Sequence, residues 1–273
     1  MGSLYLVATP IGNLEDVSAR ALRVLREVSL IAAEDTRHTR KLLSHYNIHT
    51  SLVSYHEHSQ ATRLENILEK LDGADVALVS DAGTPALNDP GFELVRLAIE
   101  RGYTVTPVPG ACAPIAALVV SGLPTDKFLY LGYLPNKAGD RRRFLKQIAG
   151  QPYTLIFLET PHRLIPALVD LGTILGDRDI AIARELTKLH EQVYRGKISA
   201  AQAFYADREI LGEITLVVAG YQPEPEKWDE QRLHSEISAG LAQGEAPSKI
   251  ASRLASISGW PRREIYRMLT NIT

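Results

Sequence analysis

A chain of 273 residues with 45% hydrophobic content is long enough for two ordinary domains and a substantial buried core. Its net charge of -2 excludes a globally basic nucleic-acid binder, so any such contact must rest on local patches. A single cysteine, Cys112, excludes an internal disulfide framework, and no Cys/His spacing matches a structural zinc site, so the expectation is an intracellular, cytoplasmic protein with no metal.

Residues 1–13 lack the basic region and cleavage pattern of a signal peptide, and the longest apolar run, 111–120, is too short to span a bilayer; no membrane association is expected. Short apolar runs at 4–8, 29–33, 75–80 and 103–108 alternate with helical patterns at 19–28, 39–46, 61–71 and 91–100. The last of these helices reads as entered through Asp89 as N-cap with Pro90 at its first position. This alternation predicts a parallel sheet in an N-terminal α/β domain over 1–121, closed by a helical run at 111–121. Gly122-Leu123-Pro124-Thr125 reads as a hinge.

A second α/β domain over 122–222 follows, with strands at 128–132, 153–158, 179–184, 192–197 and 214–219 and helices near 139–149, 161–175 and 199–207. Several of these strands succeed one another without a helix, which predicts a mixed sheet. The alternating Pro and Glu of 222–226 read as an extended linker, and 223–273 as that linker plus a small helical module. Within the module, helices at 247–256 and 261–271 flank Gly259 in a pattern that resembles a helix-turn-helix. From Lys249 onward Lys249, Arg253, Arg262, Arg263 and Arg267 face the single acid Glu264, either as an RNA-contacting surface or as the solvated face of capping or dimer-packing helices.

Three turns sit at strand ends, where open α/β sheets bind ligands. Thr9-Pro10-Ile11-Gly12-Asn13 is neither a dinucleotide fingerprint nor a phosphate loop. In Ser80-Asp81-Ala82-Gly83-Thr84-Pro85, Gly83 permits close backbone approach and Asp81 can accept hydrogen bonds. Val108-Pro109-Gly110-Ala111-Cys112 opens a helix whose first amides favour a carboxylate. Singly each is an ordinary turn; with Phe157-Leu158-Glu159-Thr160-Pro161-His162-Arg163 they form a constellation.

The ordered segments LYLVATPIGN, AAEDTRHTRKLL, SYHEH, LVSDAGTPALNDPG, VPGACAPIAAL, LGYLP, FLETPHRL, ARELTKLHE and GEITLVVAG resemble the bacterial 16S ribosomal RNA cytidine 2′-O-methyltransferases of the tetrapyrrole methylase superfamily over nearly the whole chain. The resemblance implies a two-domain fold with S-adenosylmethionine in the interdomain cleft and a homodimer. It implies a decoding-centre cytidine of 16S rRNA in the small ribosomal subunit as substrate. By position in the matching motifs, Pro10, Asp81, Ala82, Gly83, Cys112, Pro161, Gly212, Glu213 and Ile214 are the expected cofactor-pocket residues. ATPIG replaces the G-x-G-P-G usual in the tetrapyrrole-modifying branch, which weakens the alternative of a small-molecule tetrapyrrole methylase. A non-catalytic ribosome assembly factor is the other alternative, against which the intact pocket motifs weigh.

Methyl transfer from a sulfonium needs mainly attack geometry, but a ribose hydroxyl gains from a base. Asp35 and Glu159, both at strand-to-helix corners, are the candidates. Arg37, Arg40 and Lys41 beside Glu34-Asp35 suit phosphate contact, or else form a solvated helix face whose N-terminal acids offset the dipole. His56, in His56-Glu57-His58, reads as a substrate-side contact rather than a metal ligand. Arg141, Arg142 and Arg143, read as a mobile basic loop leading into the helix near 139–149, and Arg262 and Arg263 complete the expected RNA-binding set.

Overall fold

The apolar runs of the first half pair as parallel strands. β1 (Ser3–Val7), β2 (Leu30–Ala33), β3 (Leu52–Ser54), β4 (Val76–Val79) and β5 (Thr104–Val108) form one sheet in the order β3-β2-β4-β1-β5. The computed structural model describes residues 1–55, 61–223 and 227–272. Helices α1 (Ala19–Glu27), α2 (Thr36–His45), α3 (Ala61–Lys70) and α4 (Phe92–Glu100) connect these strands, and α5 (Ala113–Ser121) follows β5. Every residue of β4 is buried because both faces are covered. Ala21, Val24, Leu25 and Leu43 of α1 and α2 pack on one face, and Ile67, Leu68, Leu71, Leu94 and Ala98 of α3 and α4 on the other.

This order positions the site. From β1 the chain crosses β4 to reach β2, whereas from β4 it crosses β1 in the opposite direction to reach β5, so a crevice opens at the carboxyl ends of β1 and β4.

The second half builds a mixed sheet, as expected, from β6 (Phe128–Tyr133), β7 (Thr154–Glu159), β8 (Asp179–Arg184), β9 (Gln192–Lys197) and β10 (Ile214–Val218) in the order β6-β7-β10-β8-β9. β6 and β7 run parallel, and the remaining pairs are antiparallel. Helices α6 (Ala138–Ile148), α7 (Leu164–Leu175) and α8 (Ile198–Tyr205) cover one face through Leu145, Leu168, Leu171 and Ala201. The opposite face receives α5, whose Ala117 and Leu118 pack on Ile156, Ala181, Ala183 and Val217. Both sheets belong to one unit, Met1–Gly220.

The remaining unit, Tyr221–Thr273, has its own core. Helices α9 (Glu230–Ala242), α10 (Pro247–Ile257) and α11 (Arg262–Ile272) bury Leu233, Ile237, Ile250, Leu254, Trp260, Ile265 and Leu269 together. Gly259, at φ +67°, makes the turn between α10 and α11, and the Trp260 indole N–H donates to the Trp228 carbonyl at 2.7 Å. Among the described residues no helix is long and apolar enough to cross a membrane.

Three local expectations are corrected, and one strand has no counterpart among the expected elements. Asp89 and Pro90 do not begin α4: Gly91, at φ +142°, is its N-cap, in a close turn where a Cβ would meet Leu78 Cδ2 at 2.7 Å. Arg141, Arg142 and Arg143 lie within α6, inside the helix expected near 139–149 and not in a mobile loop before it, because Phe144, Leu145 and Ile148 anchor the helix on the core and Arg141 turns inward to Asp170 of α7. The C-terminal module holds a third helix, α9, whose N-cap Asp229 accepts the Arg232 N–H at 2.7 Å. β3 is a three-residue edge strand, too short to show a period in the sequence.

Candidate active site

A cavity of about 440 Å³ lies at the carboxyl ends of the first sheet and reaches the second. The loop after β4 supplies Asp81, Ala82 and Gly83; the start of α5 supplies Cys112; the turn after β7 supplies Glu159 and Pro161; and Gly212, Glu213 and Ile214 enter β10. Backbone pairing sets these positions. The Thr9 N–H donates to the Gly83 carbonyl at 2.9 Å and the Gly83 N–H to the Thr9 carbonyl at 3.0 Å, tying the loop after β1 to the loop after β4. Gly83 sits at φ +83°, a conformation that side chains with a Cβ adopt at a cost. In the second sheet Ile214 pairs with both Glu159 and Arg184, which sets the Gly212–Ile214 segment opposite the β7 turn.

The cavity is acidic. Glu34, Asp81, Asp89, Glu159 and Glu213 line it, and among the described lining residues there is no Lys, Arg or His. Burial pushes Asp89 up to about 6, helped by repulsion from Glu34, Asp81 and Glu213 and opposed by a hydrogen bond from Ser80. Burial likewise raises Glu159, against the Thr160 N–H at 2.8 Å and the Arg163 guanidinium at 3.1 Å. The Tyr130 hydroxyl is pushed up to about 12 by burial and has no hydrogen-bond partner among the described residues. Cys112, the N-cap of α5, makes no side-chain capping bond.

These features fit S-adenosylmethionine. Its cationic groups would relieve the carboxylate repulsion, its carboxylate suits the amides of an uncapped helix start, and its nucleoside could satisfy the orphaned Tyr130 hydroxyl. Asp89 and Tyr130 escaped the sequence reading. Asp89 was spent on a helix cap that Gly91 provides, and Tyr130 was hidden in a strand whose only signal was its apolar run.

Pro10 lines not this cavity but a neighbouring one of about 380 Å³, with Gly12, Leu14, His38, Thr39, Lys41 and Lys188. The two cavities share Ile11, Asp81, Ala82 and Glu213. Lys188 is engaged, at 2.8 Å from Glu185 and 3.2 Å from Glu213, and its stem lies where a Cβ on Gly12 would collide with it.

Asp35 caps α2, accepting the Arg37 N–H at 2.8 Å, and its carboxylate grips the Arg37 guanidinium at 2.6 Å, which holds it well below the usual carboxylate range. Arg37 is thereby folded back on its own corner, while Arg40 is exposed and Lys41 lines the second cavity. His56 lies outside the described residues. Arg141, expected to touch RNA, is instead a buried structural group: its side chain is 5% exposed and meets Asp170, 7% exposed, at 2.6 Å. Arg142 reaches the same carboxylate at 3.5 Å from the surface, and Arg143 pairs with Asp140 at 3.2 Å. Arg262 and Arg263 are exposed on α11.

A family model described as Tetrapyrrole (Corrin/Porphyrin) Methylases matches residues 3–202. The chain belongs to this methylase family. Among its methylase relatives, ribosomal RNA small subunit methyltransferase I of Synechocystis is 47% identical over 271 residues, covering 98% of this chain and 97% of that protein. The protein of the same name from Thermotoga maritima is 47% identical over 221 residues, covering 81% of this chain and 99% of its own length. The methylase fold recurs in solved structures: diphthine synthase superposes with TM-score 0.62 at 13% identity, covering 80% of this chain and 90% of that one. Uroporphyrin-III-C-methyltransferase from Thermus thermophilus gives TM-score 0.55 at 21% identity, covering 80% and 94%.

Proposed function

We propose that this chain transfers a methyl group from S-adenosylmethionine to the ribose 2′-hydroxyl of a decoding-centre cytidine in 16S rRNA of the small ribosomal subunit. The observation that carries the transfer is the acidic cavity lined by Asp81, Ala82, Gly83, Cys112, Pro161, Gly212, Glu213 and Ile214 without a lining cation. The ribosomal substrate rests on the name of relatives 47% identical to the chain.

When bound, the donor supplies an electrophilic methyl group. Glu34, Asp81, Asp89 and Glu213 would hold its cationic groups, and the first amides of α5 would receive its carboxylate. A carboxylate of the cleft accepts the hydroxyl proton as the bond forms. Of the two singled out by sequence, Glu159 is the stronger base, since burial raises it whereas Arg37 lowers Asp35. Arg37, Arg40, Lys41, Arg142, Arg143, Arg262 and Arg263, with His56, are the proposed RNA contacts.

The proposed division remains 1–121, 122–222 and 223–273. The match to the Thermotoga maritima protein spans 221 residues and 99% of that protein's length, close to the length of the two-sheet unit Met1–Gly220. That supports chemistry within the two-sheet unit; RNA contact by α11 stands in this proposal on its exposed Arg262 and Arg263. Assembly as a homodimer is part of the same proposal, and sedimentation at micromolar concentration reads it directly.

The testing experiment supplies methyl-labelled donor with 30S subunits lacking the modification, with naked 16S RNA, and with a reduced tetrapyrrole. The expected result is label on RNA, resistant to alkali at one dinucleotide. Label on the tetrapyrrole alone overturns the substrate and leaves the cofactor standing.

A pH dependence follows from Asp89, pushed up to about 6. Between about pH 4 and 6 the folded, donor-free protein holds a proton that an unfolded aspartate has released, so this group's contribution to stability falls as pH rises through that window. A cationic donor prefers the ionised form. Its affinity is therefore expected to be full above about pH 7 and to fall by up to about tenfold per unit below pH 6. Calorimetry from pH 5 to 8 checks this, with Asp89→Asn expected to flatten the profile; a flat wild-type profile removes Asp89 from the surroundings of the cation.

A further inference from the structure

We propose that the second cavity is the acceptor-nucleotide pocket, with Lys41 on a flanking phosphate of the RNA and Thr39 on a polar atom of the inserted nucleotide. This rests on the methyl-transfer reading above and deepens it.

Three observations converge. First, the cavity, about 380 Å³, shares Ile11, Asp81, Ala82 and Glu213 with the donor cavity, so occupants of the two meet across one wall. Its volume suits one nucleotide lifted out of its stack, the usual way an enzyme reaches a nucleotide within a folded strand. Second, Thr39 lines it and is 4% exposed, yet its hydroxyl has no hydrogen-bond partner among the described residues. A buried hydroxyl is expected to be paired, and this one faces a ligand-sized space. Third, the two lysines of the cavity differ. Lys188 is neutralised by Glu185 and Glu213, whereas Lys41 forms no ion pair among the described residues and sits two positions along α2 from Thr39. Lys41 is therefore open to an anion that enters the cavity. The phosphodiester backbone is the anion that comes attached to a ribose hydroxyl.

Pro10 and Gly12 complete the floor, which gives the first loop an acceptor-side role distinct from the cofactor side anticipated for Pro10.

The test uses the full chain with 30S subunits lacking the modification. Lys41→Glu removes the phosphate contact, and Leu14→Trp fills the cavity from its mouth, where Leu14 is 38% exposed and lines only this cavity. For each, kcat and KM for the subunit and the Kd for S-adenosylmethionine are measured. The expected result is a rise in KM of about tenfold or more for both, a donor Kd within about twofold of wild type, and rescue by Lys41→Arg. Lys41→Glu should also lower the slope of log affinity against log salt by about one. If both variants match wild type while wild type methylates RNA, the acceptor pocket is overturned and the methyl-transfer reading survives. If wild type labels no RNA, the reading itself falls and takes this inference with it.

Discussion

Arg141→Ala is expected to destabilise the fold by about 3–5 kcal/mol while leaving the RNA affinity of the folded fraction unchanged. The guanidinium is 5% exposed, its Nη2 lies 2.6 Å from Asp170 Oδ2, its Nε donates to the same oxygen at 2.7 Å, and it also donates to the Asn136 carbonyl. Truncation leaves the Asp170 carboxylate, 7% exposed, without its principal counterion, and an uncompensated buried charge is far costlier than a lost surface pair. Arg143→Ala, on the same helix but 75% exposed, should cost less than about 1 kcal/mol. Urea midpoints and filter binding to 16S RNA separate the two effects. Full stability with weakened RNA binding in Arg141→Ala would return this residue to the RNA-binding set.

Gly83→Val should weaken S-adenosylmethionine binding by about 100-fold, equivalent to about 2.7 kcal/mol. Gly83 holds φ +83°, and a Cβ there would sit 3.2 Å from Ile11 Cγ2 and 3.6 Å from the Ala111 carbonyl oxygen. A β-branched residue held in that conformation costs about 1–3 kcal/mol of strain, and its methyl groups crowd the wall between the loops after β1 and β4. Gly83→Ala carries the strain with less bulk and serves as the control. Calorimetry gives the affinity and thermal melting the strain; unchanged affinity in Gly83→Val would remove Gly83 from the donor pocket.

Most elements of both sheets were legible because burial writes itself into short periods. β8 and β9 fall on the anticipated residues, and the strands without intervening helices do form a mixed sheet. Helix entry was harder to read. Asp89-Pro90 carries a capping signature, but the backbone there bends first and uses Gly91, freeing Asp89 for the cavity. α9 was missed although Asp229 and the i, i+4 series Leu233, Ile237, Leu241 announce it, because Gly240 and the flanking polar residues dilute the pattern. Charge was the least informative signal. Three consecutive arginines look alike in sequence, yet Arg141 is buried and Arg143 solvated, a difference set by where Asp170 of α7 stands. At the site, the motif residues of three loops and of β10 do line one cavity, while Pro10, Lys41 and Thr39 line another that no motif separates from the first.

The strand order also dictates when the protein can finish folding. β1 lies inside the first sheet, and all its partners have been synthesised by Val108, so that sheet can consolidate while the rest of the chain is still emerging. The second sheet has the reverse character. Its central strand, β10, is the last to be made, and until Ile214–Val218 arrives both β7 and β8 present open edges with nothing between them. Gly212, Glu213 and Ile214 arrive with that strand, so the cavity gains its last wall at the moment the sheet closes. A nascent chain stalled before residue 212 would hold a formed first sheet, an exposed pair of strand edges and an incomplete pocket, and donor binding would then report that the second sheet has zipped shut.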